Sequence, residues 1–182
     1  LVKDNGLIIS ALCGDLGGGG FIHKDLNKER VEKSKRILDL AKDLETDIVT
    51  THIGVVPSDP NHDRYKIMQE ACQKLGEFAE SIGSYFAVET GPEPSEVLRD
   101  FILSLGNKGI AVNLDPANLI LYGKANPVDA LDVFGKYVMN LHAKDGCYPT
   151  DGASLGVETP IGEGMVHFEK LIPALKAQGF EF

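Results

Sequence analysis

Five short runs rich in β-branched and aliphatic residues, LIISAL (7–12), DIVTTH (47–52), YFAVE (85–89), IAVNLD (110–115) and YVMNLH (137–142), punctuate the chain at wide intervals. Between them lie segments 27–45, 63–83, 94–106 and 126–136, in which apolar residues recur every three or four positions, the period of an amphipathic helix. Continuously apolar strands are buried on both faces, and alternation with helices covers those faces, so the pattern predicts a parallel sheet layered by helices. The punctuation agrees: Gly83 and Gly106 suit helix C-termini, Pro94 and Pro127 suit first turns, and Asn27 is placed to cap the first helix. With 182 residues, 43% of them hydrophobic, the chain reads as a single domain over 1–182.

Two parallel architectures compete, the closed (β/α)8 barrel and the open doubly wound sheet. Both place function at the carboxyl ends of the strands. An open dinucleotide-binding sheet calls for GxGxxG between its first strand and helix, whereas the glycines here form CGDLGGGGF (13–21), several residues before the next helix. Without GK[ST] the run is no phosphate-cradling loop either, and its plain reading is a flexible connection.

Composition narrows the function classes. Formal charge is −9, and the basic residues are spread along helical stretches, so the electrostatic term behind nucleic-acid binding is missing. Three cysteines without a CxxC pair give neither a disulfide framework nor a zinc ribbon, which fits a reducing cytoplasm. No apolar run approaches the ~20 residues of a membrane span.

The last residue of each later strand is His52, Glu89, Asp115 or His142, every one a metal-ligand type. On the rim of a parallel barrel these ends converge, and a divalent cation of the Mn, Mg, Co or Zn kind accepts mixed carboxylate and imidazole donors. A lone carboxylate at a strand end is commonly the cap of the next helix, a reading that suits Asp115 before Pro116. Several such residues at one structural station favour a shared cation over capping. His52 serves equally as a substrate contact, and His23, His62 and His167 read as solvated loop or helix-start residues.

These motifs, ISALCGD (9–15), THIGVVP (51–57), FAVETGPEP (86–94), VNLDPANL (112–119), NLHAKDG (140–146) and PIGEGMVHFEKLIPAL (160–175), resemble the sugar isomerase and epimerase superfamily with the xylose isomerase-like TIM barrel. That superfamily includes tagatose 3-epimerase, hydroxypyruvate isomerase, inosose dehydratase and, more distantly, endonuclease IV. The resemblance implies a (β/α)8 barrel that is incomplete in this chain, running from strand 3 to the start of strand 8, since a full barrel takes about 250 residues. It implies one divalent metal ion held by Glu89, Asp115 and His142, with a fourth ligand, an eighth-strand glutamate, that has no match; Glu181 is out of register for it. Glu89 would then be ligand and acid-base group at once, in proton transfer next to a carbonyl through an enediolate. Expected substrate contacts are His52, Asn118, Lys144, Asp145 and Glu163, with Glu93 a supporting residue near Glu89. The implied partner is a small sugar or sugar phosphate, with no nucleic acid and no membrane, and homodimers are common in the family. Rival readings are an inosose dehydratase-like lyase, an endonuclease IV-like phosphodiesterase, for which Asn118 stands where a histidine ligand is needed, and a non-catalytic sugar-binding barrel.

Overall fold

The computed structural model describes residues 1–152 and 154–181. Among the described residues, β1 (Leu12–Cys13), β2 (Ile48–Thr51), β3 (Tyr85–Glu89), β4 (Ile110–Leu114) and β5 (Val138–Leu141) form one parallel sheet. Helix α1 (Lys24–Asp43) connects β1 to β2, α2 (Asp63–Ser81) connects β2 to β3, and α3 (Ser95–Ser104) connects β3 to β4. Two helices, α4 (Pro116–Leu121) and α5 (Pro127–Phe134), carry the chain from β4 to β5. Beyond the sheet come an antiparallel pair, β6 (Asp145–Cys147) and β7 (Val157–Thr159), and then α6 (Phe168–Ala177). Strand order equals chain order throughout, so each crossover leads to the adjacent strand. That is the winding of a barrel; a doubly wound sheet reverses direction at a switch point. The five strands form the arc of a (β/α)8 barrel, as expected.

Helix periodicity located the helices to within a few residues, and the departures have local causes. Asn27 does not cap α1, because the helix already begins at Lys24, after His23 in extended conformation. Asn27 is buried one turn inside, where its Nδ2 donates to the Phe21 carbonyl at 2.9 Å. Strand β1 is shorter than the apolar run 7–12: it has β2 on one side only, and Leu7 and Ile8 are exposed. The short α4 and the β6–β7 pair carry no long apolar period and were not legible as separate elements. His62 caps α2, with Nδ1 accepting from the Arg64 N–H at 3.0 Å. No helix among the described residues is long and apolar enough to cross a membrane.

The core is formed where helices cover the sheet: Phe86, Val88, Val112 and Leu114 of β3 and β4 are fully buried, as are Met68 and Leu75 of α2 and Phe101 of α3. Helix α2 lies so close to the start of β4 that a Cβ on Gly109 would be 2.0 Å from the Gly76 carbonyl oxygen. Backbone cannot yield as a flexible side chain does, so Gly109→Ala should destabilise the fold by about 1–3 kcal/mol, read as a lower urea midpoint at unchanged slope.

Candidate metal centre

Parallel pairing brings the carboxyl ends of β3, β4 and β5 to one rim. Glu89, the last residue of β3, is level with Asn113, and Asp115 follows two residues later on the same face. Strand β5 reaches this face through an irregularity. Val112 pairs with Val138, but Asn113 pairs with Asn140 and Leu114 with Leu141, so β5 spends Met139 as an extra residue. Without that bulge, every later side chain of β5 would fall one step out of register and turn to the opposite face. With it, the His142 N–H donates to the Leu114 carbonyl at 2.8 Å and the ring comes level with Asp115.

Ligand atoms of Glu89, Asp115 and His142 all lie within 4.8 Å of one another. His142 Nδ1 is 3.2 Å from Glu89 Oε1 and 3.5 Å from Asp115 Oδ2. Each carboxylate has one oxygen secured and one turned to this point. Glu89 Oε2 accepts from Asn113 Nδ2 at 3.1 Å, and Asn113 Oδ1 in turn accepts from Asn140 Nδ2 at 2.8 Å. Asp115 Oδ1 accepts the Asn118 N–H at 3.0 Å, so it does cap α4, while Oδ2 is buried with no aligned hydrogen-bond donor. Capping and metal binding are therefore not alternatives for Asp115: the two oxygens divide the tasks. Thr90 Oγ1 fixes the Asp115 backbone from both sides, accepting from its N–H at 2.9 Å and donating to its carbonyl at 2.8 Å. An oxygen, oxygen and nitrogen donor set in which the buried Asp115 Oδ2 receives no aligned hydrogen bond fits a divalent cation such as Mg, Mn or Zn.

The other expected contacts are placed unequally. Lys144 Nζ lies 2.7 Å from Asp115 Oδ2, an ion-pair distance without hydrogen-bond alignment, and 2.9 Å from Asn118 Oδ1. Asn118 Nδ2 donates to the Thr90 carbonyl at 2.9 Å, so both ends of this amide hold the rim together. His52 Nε2 stands 3.5 Å from Glu89 Oε1. Glu93 is buried, and burial pushes its carboxyl above the ordinary range against backbone N–H groups that pull it down. Glu163 is exposed on the loop after β7.

Asp145 differs from the expectation of a substrate contact. It is buried, and its two oxygens accept the N–H groups of Gly146 (2.8 Å), Gly162 (2.9 Å), Gly164 (3.1 Å) and Val166 (3.1 Å). Burial alone would raise its carboxyl, but these four donors hold it below the usual range. Asp145 is thus the organiser of the 160–166 loop. Removing it in Asp145→Ala leaves those donors without their charged acceptor, and should cost about 3 kcal/mol in urea unfolding with faster proteolysis of the loop.

Asn113, Asn140, Thr90 and Asp15 were missed by sequence reasoning. The first two were available: N-x-D at 113–115 and N-x-H at 140–142 place each asparagine on the face of the ligand two residues on. The ligand edge opens on a cavity of about 370 Å³ lined by Cys13, Thr50, Glu89, Asn113, Asn140 and His142.

Burial pushes the Asp115 carboxyl up, with Lys144, the Asn118 N–H and His142 pulling the other way. A raised acid binds its proton more tightly folded than unfolded. The metal-free fold therefore loses stability as pH rises from the ordinary aspartate value, about 4, through the raised one. A cation competes with that proton, so Mn²⁺ affinity measured by calorimetry should rise with pH over this interval, with proton release on binding. A flat affinity profile would contradict the assignment.

The family described as xylose isomerase-like TIM barrel matches residues 1–181. A search of the curated proteins finds no match. Among solved structures, the xylose isomerase domain protein of Planctomyces limnophilus superposes with a TM-score of 0.90 and 28% identity, over 100% of this chain and 71% of that one. A xylose isomerase-like TIM barrel protein from Mycobacterium smegmatis in complex with magnesium gives 0.78 and 19%, over 98% of this chain and 66% of that one. The 3-keto-D-glucoside 4-epimerase of E. coli gives 0.72 and 15%, over 99% and 71%. With its strand order, its converging strand ends and this family match over nearly its whole length, the chain belongs to the xylose isomerase-like TIM barrel family.

Proposed function

We propose that the chain holds one divalent cation on Glu89, Asp115 and His142 and acts as a sugar or sugar phosphate isomerase or epimerase, moving a proton at a carbon next to a carbonyl. The observation that carries this reading is the division of labour in the carboxylates: Glu89 Oε1 and Asp115 Oδ2 face His142 Nδ1, while their partner oxygens are tied to Asn113 and to the Asn118 N–H. The magnesium bound by the M. smegmatis relative and the keto-sugar chemistry named for the E. coli relative support it.

When bound, the cation would draw electron density from carbonyl and hydroxyl oxygens and offset the negative charge left by proton removal. The side chains supply the rest. Glu89 borders both the ligand cluster and the cavity, so its carboxylate is the group placed to take a proton from a substrate carbon. Asn113 fixes one of its oxygens and so the direction of the remaining lone pairs, a preorganisation that needs no movement during the reaction. Asn140 and Thr50 line the cavity with polar groups able to meet hydroxyls. Lys144, itself mostly buried, balances the charge of Asp115.

The Mn²⁺-loaded protein, incubated in D₂O with a panel of ketoses and inososes, should take up deuterium at the carbon beside the carbonyl of its substrate and interconvert isomers. Water loss without isomer formation would move the reading to a lyase. Glu89→Gln should abolish exchange, by at least about 10²-fold, with circular dichroism and thermal midpoint close to those of the parent. Undiminished exchange in that variant removes Glu89 from the mechanism.

A further inference from the structure

The groove between α1 and α2, which shares no lining residue with the rim cavity, has a built floor and an unbalanced charge. Asn27 and Val31 of α1 and Ile67 and Ala71 of α2 form the floor of a space of about 280 Å³; Ile67 is half-buried and the other three are buried. Asn27 is held in one orientation. Its Nδ2 donates to the Phe21 carbonyl at 2.9 Å and to the Ile67 carbonyl at 3.5 Å. Phe21 closes the glycine run, which is anchored at both ends, in contrast to the flexible connection its composition suggests. Asp15 Oδ2 lies 2.9 Å from His52 Nδ1, and the Phe21 N–H donates to the Ile53 carbonyl at 2.9 Å. With Nδ2 committed, Asn27 Oδ1 is a buried acceptor that receives no donor from the protein.

Lysines flank this floor. At the far end Lys35 pairs with Glu32 at 3.1 Å and Lys74 pairs with Glu70 at 2.7 Å, so charge there is balanced. Lys24 and Lys28, exposed on the first two turns of α1, are in no ion pair among the described residues. No side chain caps α1, so the positive end of the helix dipole adds to theirs. The groove is thus positive where α1 begins, on a chain whose formal charge is −9.

A complementary group carries a hydrogen-bond donor, an apolar side chain and negative charge. An acidic peptide segment has all three: a backbone N–H for Asn27 Oδ1, an aliphatic side chain for Val31, Ile67 and Ala71, and carboxylates for Lys24 and Lys28. A small inorganic anion leaves the floor bare. A second copy related by a two-fold axis through the groove would set lysines against lysines. The length also suits a peptide, since Lys24 to Lys35 spans about 17 Å of helix, the reach of about five extended residues.

We propose that the α1–α2 groove is a docking site for an acidic peptide segment of a partner protein, with an aliphatic residue on the floor and carboxylates at Lys24 and Lys28. The inference is independent of the proposed function. Its probe is the heptapeptide acetyl-Glu-Glu-Ala-Leu-Ala-Glu-Glu-amide, titrated calorimetrically into the full chain at about 50 mM salt, where exposed charges are little screened. Saturable binding is expected with Kd between about 10 and 500 μM, and the counterpart with glutamine at the four glutamates should bind about fivefold more weakly or less. On addition of the acidic peptide, the side-chain amide of Asn27 and the backbone amides of Ile67 and Ala71 should shift in ¹H–¹⁵N spectra. Lys24→Gln with Lys28→Gln should weaken binding about fivefold or more, with circular dichroism and thermal midpoint unchanged, because both side chains are exposed. Absence of saturation at several millimolar peptide, equal affinity for the glutamine peptide, or undiminished binding in the double variant overturns the proposal. Displacement of the peptide by equimolar phosphate or citrate would assign the lysines to a free anion. Concentration-dependent dimerisation that the double variant loses would assign the groove to a second copy. Either result also overturns the proposal.

Discussion

Everything at the rim follows from parallel pairing in chain order. A parallel strand delivers its carboxyl end to the same edge as its neighbour, so residues separated by a whole helix in sequence arrive side by side. The pairing of Glu89 with Asn113 sets the level, and the bulge at Met139 restores it on the next strand. One residue fewer in β5 would keep the sheet yet turn His142 away from Asp115. The site thus depends on a local break in the regular ladder, at the position where the ladder would otherwise misdirect a ligand.

That alignment creates an electrostatic problem and distributes its solution. Asp115 is wholly buried and Glu89 nearly so, and two carboxylates this close cost several kcal/mol of desolvation and repulsion if left alone. The fold meets part of the cost with neutral donors, the Asn113 amide and the Asn118 N–H, and part with the Lys144 ammonium. It does so asymmetrically, tying one oxygen of each carboxylate by an amide hydrogen bond and turning the other toward His142. Burial is what raises the proton affinity of Asp115, and the cation of the proposed site would lower it.

The sequence was legible where one residue type carries one meaning. Continuous apolar runs and period-3.6 patterns placed the central strands and the main helices, and the strand-terminal carboxylates and histidine named three groups that the structure brings together. It was illegible where a meaning depends on a partner. Nothing in YVMNLH announces that Met139 is spent in a bulge, since that depends on β4. Asp145 and Asp115 look equivalent as acidic residues beyond strands, yet one receives three backbone donors from a loop that begins 17 residues later, and the other keeps an oxygen without an aligned hydrogen-bond donor. Asn27 reads as a cap and is a buried tie between α1 and the backbone before it, because helix starts are set by the chain's approach as well as by side-chain chemistry.

The two ends of the sheet are built on opposite principles, and this separation is what lets the rim be strained without endangering the fold. At the amino end of β4, Asn107 Oδ1 accepts the N–H groups of Gly109 and Ile110, and glycines at 76 and 109 allow helix and strand backbones to touch. Those contacts are close, neutral and satisfied, so they contribute stability with no functional demand on them. At the carboxyl end the side chains are charged, partly unsatisfied and open to a cavity. The apolar layer of Phe86, Val88, Val112 and Leu114 lies between the two and packs against helices, and no ionisable group is needed within it. The acidic groups at the rim can therefore change protonation or partner while the layer beneath keeps its packing, which is the condition the proposed chemistry of Glu89 requires.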